Sequence, residues 1–362
     1  MGFRHRFSAI SWYKNYSLLY YKSTNFATNP FPCPLNRGTM SEIAPPSRLQ
    51  HFPITLLPSV MGLLGLAIVW MKFQHMFHLG MPVGQTILAA TSTYFILVVI
   101  MQAARFVRYP AEVVKDFRHP IRVNFFPALS ICFLLLSIGW LEADQADVAR
   151  VFWYIGAPLH LVFLLVILHG WFHKSYDLKF FNPAWFIPVV GPLLVPVAGV
   201  EFAHTEINWF FFSIGVVYWI VLLAVLVGRI FFHSPMAPKL LPTLFILIAP
   251  PAVGFIAYNK LTAAPLDNFG RILFYFGVFN VLMLVTMLGK LRKVPFFLSW
   301  WGYTFPLDAF TLSVVMMFKK SKLPFFKQSV LVLTIITTLV IIFVLVRTVV
   351  AASRRQLCVP ED

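Results

Sequence analysis

Residues 183–200 read Pro183-Ala-Trp-Phe-Ile-Pro188-Val-Val-Gly191-Pro192-Leu-Leu-Val-Pro196-Val-Ala-Gly199-Val200, a run with four prolines and no charged side chain. Crossing the ~30 Å hydrocarbon core of a bilayer takes about 20 helical residues, so the run has the length and polarity of a membrane span. Each interior proline removes a backbone donor and kinks the helix. In lipid such a helix survives only where its freed carbonyls meet neighbouring helices or a water-filled cavity, which places it inside a bundle. The next charge-free run, 207–228, has no proline and is apolar all round, as a lipid-facing helix should be.

The same alternation extends outward over the chain. Apolar runs, free of interior charge in all but the ninth, lie near 52–72, 83–104, 123–141, 150–171, 183–200, 207–228, 240–259, 272–289, 297–318 and 328–346. The odd runs hold Pro58, Pro127, Pro188, Pro192, Pro196, Pro242, Pro250, Pro251 and Pro306, whereas Pro158 is the one internal proline of the even runs. The pattern predicts an all-α membrane protein of ten transmembrane helices, arranged as five hairpins in a pseudo-fivefold ring around a central pore. The odd helices would be inside and the even ones against lipid. Gly62, Gly65, Gly139, Gly191, Gly199, Gly254 and Gly302 also fall in odd runs. Small residues there let backbones approach closely or leave lumen free.

Composition agrees. The 362 residues are 59% hydrophobic and only 12% charged, against about 25% charged in soluble domains. Mean hydropathy is +0.78. No sizeable soluble domain fits beside ten spans. Lys and Arg number 29 against 13 Asp and Glu, which gives a net charge of +16. In a membrane protein that excess belongs to cytoplasmic loops rather than to nucleic-acid binding. With ten spans, 21 of these cations fall on the side of the termini and 8 on the other. The expectation is therefore cytoplasmic termini in a bacterial inner (plasma) membrane. Four of the 8 opposing cations, Lys319, Lys320, Lys322 and Lys327, sit together between the last two spans and locally contradict the rule. Residues 1–50 read as a basic cytoplasmic tail, with 1–39 a disordered segment or an over-extended start ahead of Met40. Residues 51–350 form the membrane domain, and 351–362 a cytoplasmic tail.

Chemistry-bearing constellations are sparse. Cys33, Cys132 and Cys358 are too far apart for a CxxC pattern. His169 and His173 have the i, i+4 spacing of a two-ligand helix face. Only His160 is deep in the fourth span, however, so no metal or haem site is expected. No nucleophile–base pair, phosphate-cradling glycine loop or paired intramembrane carboxylate occurs, and the reading is of a protein that is not an enzyme and carries no cofactor. The exception is Asp308, alone in mid-span, where an ionisable group is costly enough to mark a functional candidate. Without a partner it is expected neutral or hydrogen-bonded to a neighbouring helix, and it offers a proton-coupled carrier as the alternative to a channel.

Three segments carry a family resemblance. His119-Pro120-Ile121-Arg122-Val123-Asn124-Phe125-Phe126-Pro127 resembles the D-P-V-R-V-N-F-F stretch that opens the third helix of plant slow anion channels. Phe181-Asn182-Pro183 through Val189-Val190-Gly191 is similar to their N-P…V-V-G segment. Trp300-Trp301-Gly302-Tyr303-Thr304-Phe305-Pro306-Leu307 resembles the ninth-helix W-W-x-Y-T-F-P motif, the most specific of the three. The chain thus resembles the tellurite-resistance/dicarboxylate transporter family, which includes bacterial TehA, the guard-cell slow anion channels and the fungal malate and sulfite exporters. The resemblance implies a pore lined by odd helices, a trimer whose subunits conduct separately, and a plugging phenylalanine, here Phe305. Gly302, Pro306, Asp308, Pro127, Pro188, Pro192, Pro250 and Gly65 are the accompanying pore-lining or kink candidates. The transported species would be a small anion, whether chloride, nitrate, sulfite or a C4-dicarboxylate such as malate.

Overall fold

The computed structural model describes residues 47–359, so the expected tail over 1–39 and the last three residues lie outside it. Among the described residues every regular element is helical. Eight helices are long and apolar enough to cross a membrane: α1 (Ile54–Phe77), α2 (Val83–Arg108), α3 (Arg122–Glu142), α4 (Ala146–His173), α6 (Thr205–Phe232), α7 (Pro238–Thr262), α8 (Asn268–Thr286) and α10 (Pro324–Ser353). The remaining two expected spans differ for identifiable reasons. α5 (Pro183–Gly199) is short. α9 is a 3-10 turn over Leu298–Tyr303 followed by the helix Thr304–Ser321, which carries Asp308, Lys319 and Lys320.

The odd segments share a common 3-10 entry. α1 opens with 3-10 residues Ile54–Leu56, α3 with Arg122–Phe125, α5 with Pro183–Trp185, α7 with Pro238–Ile248 and α9 with Leu298–Tyr303. A 3-10 turn rises about 2.0 Å per residue against 1.5 Å for the α-helix. In α5 a second 3-10 stretch, Gly191–Leu194, separates two five-residue α turns. With seven of its residues in the steeper form, α5 reaches roughly 29 Å and nearly matches the ~30 Å core despite its length.

The two classes of helix differ in burial. In α1, α3 and α7 the most apolar window is 72% buried, whereas in the even helices the share runs from 22% in α2 to 39% in α4. Each odd segment packs against the even helix that follows it. Odd segments also pack on one another: α1 on α3, α3 on α5, α5 on α7, α7 on α9, and α9 back on α1. The tightest of these approaches is α1 on α9, where a Cβ on Gly62 would collide with Thr304 and one on Gly65 would meet Asp308 Oδ2 at 2.5 Å.

Candidate functional site

Two cavities lie among the odd segments. The larger, about 540 Å³, opens at the end where the described chain both begins and finishes: His51, Gln356, Leu357, Cys358 and Val359 line it. The smaller, about 100 Å³, is lined by residues of α1, α3, α5, α7 and α9 and by none of an even helix. Leu194 of α5, Val253 of α7 and Phe305 of α9 line both. These three apolar side chains are the partition between the cavities, and Phe305 is the largest of them.

The sequence around Phe305 is built to aim it. Trp301 is 1% exposed and its Nε1–H donates to Thr348 Oγ1 of α10 at 3.0 Å. Trp300 Nε1–H donates to Pro295 O at 3.0 Å, and its ring packs against Phe343. Tyr303 stacks edge-on against Phe245 of α7 at 4.7 Å between ring centroids. Thr304 Oγ donates back to Trp301 O at 2.8 Å. The motif therefore anchors the 3-10 entry on three sides, and the following turn carries Phe305 to the partition. Pro306, an early residue of the α-helical part, needs no intrahelical donor there. Gly302 and Pro306 line the large cavity, and Gly65 lines the small one.

Other candidates sit elsewhere. Asp308 is fully buried against Gly65 and lines neither cavity, and both its carboxylate oxygens lack a hydrogen-bond partner among the described residues. Pro127, Pro188, Pro192 and Pro250 are buried but touch neither cavity. Pro127 stands just before the α-helical part of α3, and Pro250 lies in the first turn of the helix Ala249–Thr262. Both shape helix entries rather than a lumen. Pro188 O accepts from His160 Nε2–H at 3.0 Å, and His160 Nδ1 lies 2.9 Å from Ser130 Oγ. The deep histidine is thus a tie among α3, α4 and α5.

The charged residues at the cavities are mostly ones that span-by-span reading passed over. Arg122, His119, His51 and Lys239 line the large cavity. Asp116 is pinned between Arg105 and Arg122, with both ion pairs at 2.8 Å, so Arg122 reaches the cavity already half-neutralised. His119 stands where the plant stretch has Asp, and it caps the turn that follows: its Nδ1 accepts from the backbone N–H of Ile121 at 3.1 Å and of Arg122 at 3.2 Å. Burial, then the neighbouring Arg122 charge, holds its imidazole below the usual histidine range. Asn182 caps the α5 entry in the same manner, accepting from Ala184 N–H at 3.0 Å. Lys72, Glu142, Lys260 and Lys319 line the small cavity, with Lys72 paired to Glu142.

Comparison with known proteins fits this geometry. An uncharacterized transporter of Methanocaldococcus jannaschii is 26% identical over 296 residues, which covers 75% of this chain and 86% of that protein. The S-type anion channel SLAH2 of Arabidopsis thaliana is 29% identical over 270 residues, covering 72% of this chain and 51% of the plant protein. A tellurite resistance protein TehA homolog of Haemophilus influenzae is 23% identical over 282 residues, covering 77% of this chain and 80% of that one. The chain therefore spans about half the length of the plant channel it matches. The model of the SLAC1 family, described as voltage-dependent anion channel, matches residues 51–349. A membrane protein of paired helices, its two cavities walled by the proline-rich members and parted at Phe305, belongs to the SLAC1 voltage-dependent anion channel family.

Proposed function

We propose that the protein is an anion channel in which the five odd segments form a pseudo-fivefold ring of ten helices around a central path closed by Phe305. The observation that carries this reading is that Phe305 lines both cavities, with Leu194 and Val253 as its only companions. The mutual packing of odd segments, with α9 returning to α1, supports the ring. At the large cavity the entry turns of the odd segments present the positive ends of their helix dipoles, and Arg122 and Lys239 add to them. An anion is drawn there without a fixed cation at the constriction, so it binds weakly and leaves easily, as conduction requires.

The permeant species in this reading is a small anion: chloride, nitrate, sulfite or a C4-dicarboxylate. The membrane is a bacterial plasma membrane with both termini cytoplasmic, and the assembly is a homotrimer with one path per subunit. Both ends of the described chain lying at the large cavity supports placing the termini on one side. Impermeant labelling of loop cysteines in intact cells tests the topology: the 105–122 loop should be protected and the 142–147 loop labelled.

The gate is tested by chloride flux from proteoliposomes. Phe305→Ala should raise flux severalfold or more. Unchanged flux in a folded variant overturns the gate.

A second reading, a proton-coupled exporter of malate or sulfite, rests on one observation, the unpartnered carboxyl of Asp308 one helical turn from Phe305. Against it stands the absence of Asp308 from both cavity walls. Asp308→Asn should leave the pH profile of flux intact if the protein is a channel, and a flattened profile would favour the carrier.

A further inference from the structure

The small cavity is walled by apolar side chains except at its far end, where Lys72, Lys260, Lys319 and Glu142 stand around it. They come from the C-terminal ends of four odd segments: Lys72 somewhat before the last turn of α1, Glu142 at the end of α3, and Lys260 and Lys319 in the last turns of α7 and α9. A lysine in the last turn of a helix is ordinarily explained by the helix dipole, which favours a cation there. That explanation asks only for a cation in water. It does not account for Lys72, nor does it require Lys72, Lys260 and Lys319 to line one cavity of about 100 Å³.

The pairing is uneven. Glu142 is taken by Lys72, whereas Lys260 and Lys319 enter no ion pair among the described residues. The neighbouring Lys320 is turned away, donating to Ala264 O, and Lys327 lies over the Phe77 ring. Of the cluster that contradicts the charge-sidedness rule, Lys319 is the member that faces the cavity. The four groups at the mouth thus sum to a charge of +2, held by two ammonium groups on helices that pack against each other. One monovalent anion satisfies one of them. A divalent anion satisfies both, and no desolvated carboxylate competes because Glu142 is already engaged.

From this geometry we infer that the mouth of the small cavity is a binding site for a small divalent anion, held between Lys260 and Lys319 with the Lys72–Glu142 pair beside it. The site lies on the path, beyond Phe305 from the large cavity, so an anion held there obstructs passage of monovalent ones. The proposal rests on the channel reading for its flux signature but not for its binding signature.

The test uses the purified full chain with sulfate and succinate as probes and sodium chloride at matched ionic strength as control. In proteoliposomes sulfate should inhibit chloride efflux, and Lys260→Gln or Lys319→Gln should raise the half-inhibiting concentration about tenfold each, the effect of deleting one of two contact charges. Lys260→Arg and Lys319→Arg should retain inhibition, and Glu142→Gln should strengthen it. In parallel, sulfate should raise the melting temperature of the wild type in detergent, and the rise should shrink in both Gln variants. Succinate acting more strongly than sulfate marks a dicarboxylate site, and the reverse marks a compact oxyanion site; either ranking supports the proposal. Inhibition and thermal shift that are absent in the wild type, or equal in wild type and Gln variants, overturn it. If chloride flux is missing even in Phe305→Ala, the channel reading falls, and the melting data still decide the anion site.

Discussion

α7 and α10 are both strongly apolar, yet the less apolar one is the interior one. The most apolar window of α10 has a mean hydropathy of 3.0 and is 28% buried; that of α7 has 2.1 and is 72% buried. In water the ranking would be reversed, because burial is driven by apolar surface. A bilayer removes that driving force, since lipid tails are as apolar as leucine, and helices are sorted by packing and by polar needs instead. α7 carries Pro242, Pro250 and Pro251 and an eleven-residue 3-10 stretch, so it has backbone groups that only neighbours or water can satisfy. α10 has an unbroken hydrogen-bonded backbone and can face lipid.

If this contrast governs the fold, equal truncations on the two classes of helix must have unequal costs. Leu64 of α1 is fully buried, whereas Leu339 of α10 is 62% exposed. Leu64→Ala should cost about 2–4 kcal/mol through the void it leaves, and Leu339→Ala less than ~0.5 kcal/mol, measured by denaturation in mild detergent. Equal losses would break the comparison.

Glycine gives a finer version with opposite signs. A Cβ on Gly65 of α1 runs into Asp308, while one on Gly228 of α6 meets nothing within 4 Å. Gly65→Ala should destabilise by about 1–3 kcal/mol, the usual cost of overpacking. Gly228→Ala should gain up to about 1 kcal/mol from helix propensity. The same two melts decide it.

The smallest effect concerns the entry turns that only odd segments possess. His119 accepts two backbone N–H groups at the start of α3 with its Nδ1, and its folded-state imidazole titrates below the usual 6.5. The unfolded chain then takes up the proton more readily than the folded one. The contribution of this cap is full above about pH 6.5 and is lost as pH falls below it. His119→Asn keeps an acceptor without a titrating group, so the melting temperature of the variant should decline less than that of the wild type between about pH 7 and pH 5.5. Parallel declines would show that the cap does not depend on protonation.

Much of this is legible in the sequence. Charge-free runs located the membrane segments to within a few residues, although α10 extends from Pro324 to Ser353, well past the expected 328–346. Proline separated interior from exterior helices because its backbone defect is local and travels with the residue. The W-W-G-Y-T-F-P motif singled out Phe305 only through its resemblance to the ninth-helix motif of the plant channels; the anchors that hold the turn are contacts between segments far apart in the chain. Which of the pore-lining or kink candidates line a cavity, as Gly65, Gly302 and Pro306 do and Asp308, Pro127, Pro188, Pro192 and Pro250 do not, was less accessible, since periodicity gives a residue's helical face but not which neighbour that face meets.

The sequence by itself therefore determined the class of protein, the paired helices and the odd–even division, all of which follow from polarity and backbone chemistry along one segment at a time. Only the tertiary structure decided that Leu194 and Val253 share the partition with Phe305, that Asp308 is set against Gly65 away from both cavities, and that Lys72, Lys260 and Lys319 meet at one mouth. Those residues lie far apart in the chain and on helices of similar composition. Their meeting is fixed by helix rotation and register, which the close packing of small residues and anchoring aromatics sets and which no single segment encodes.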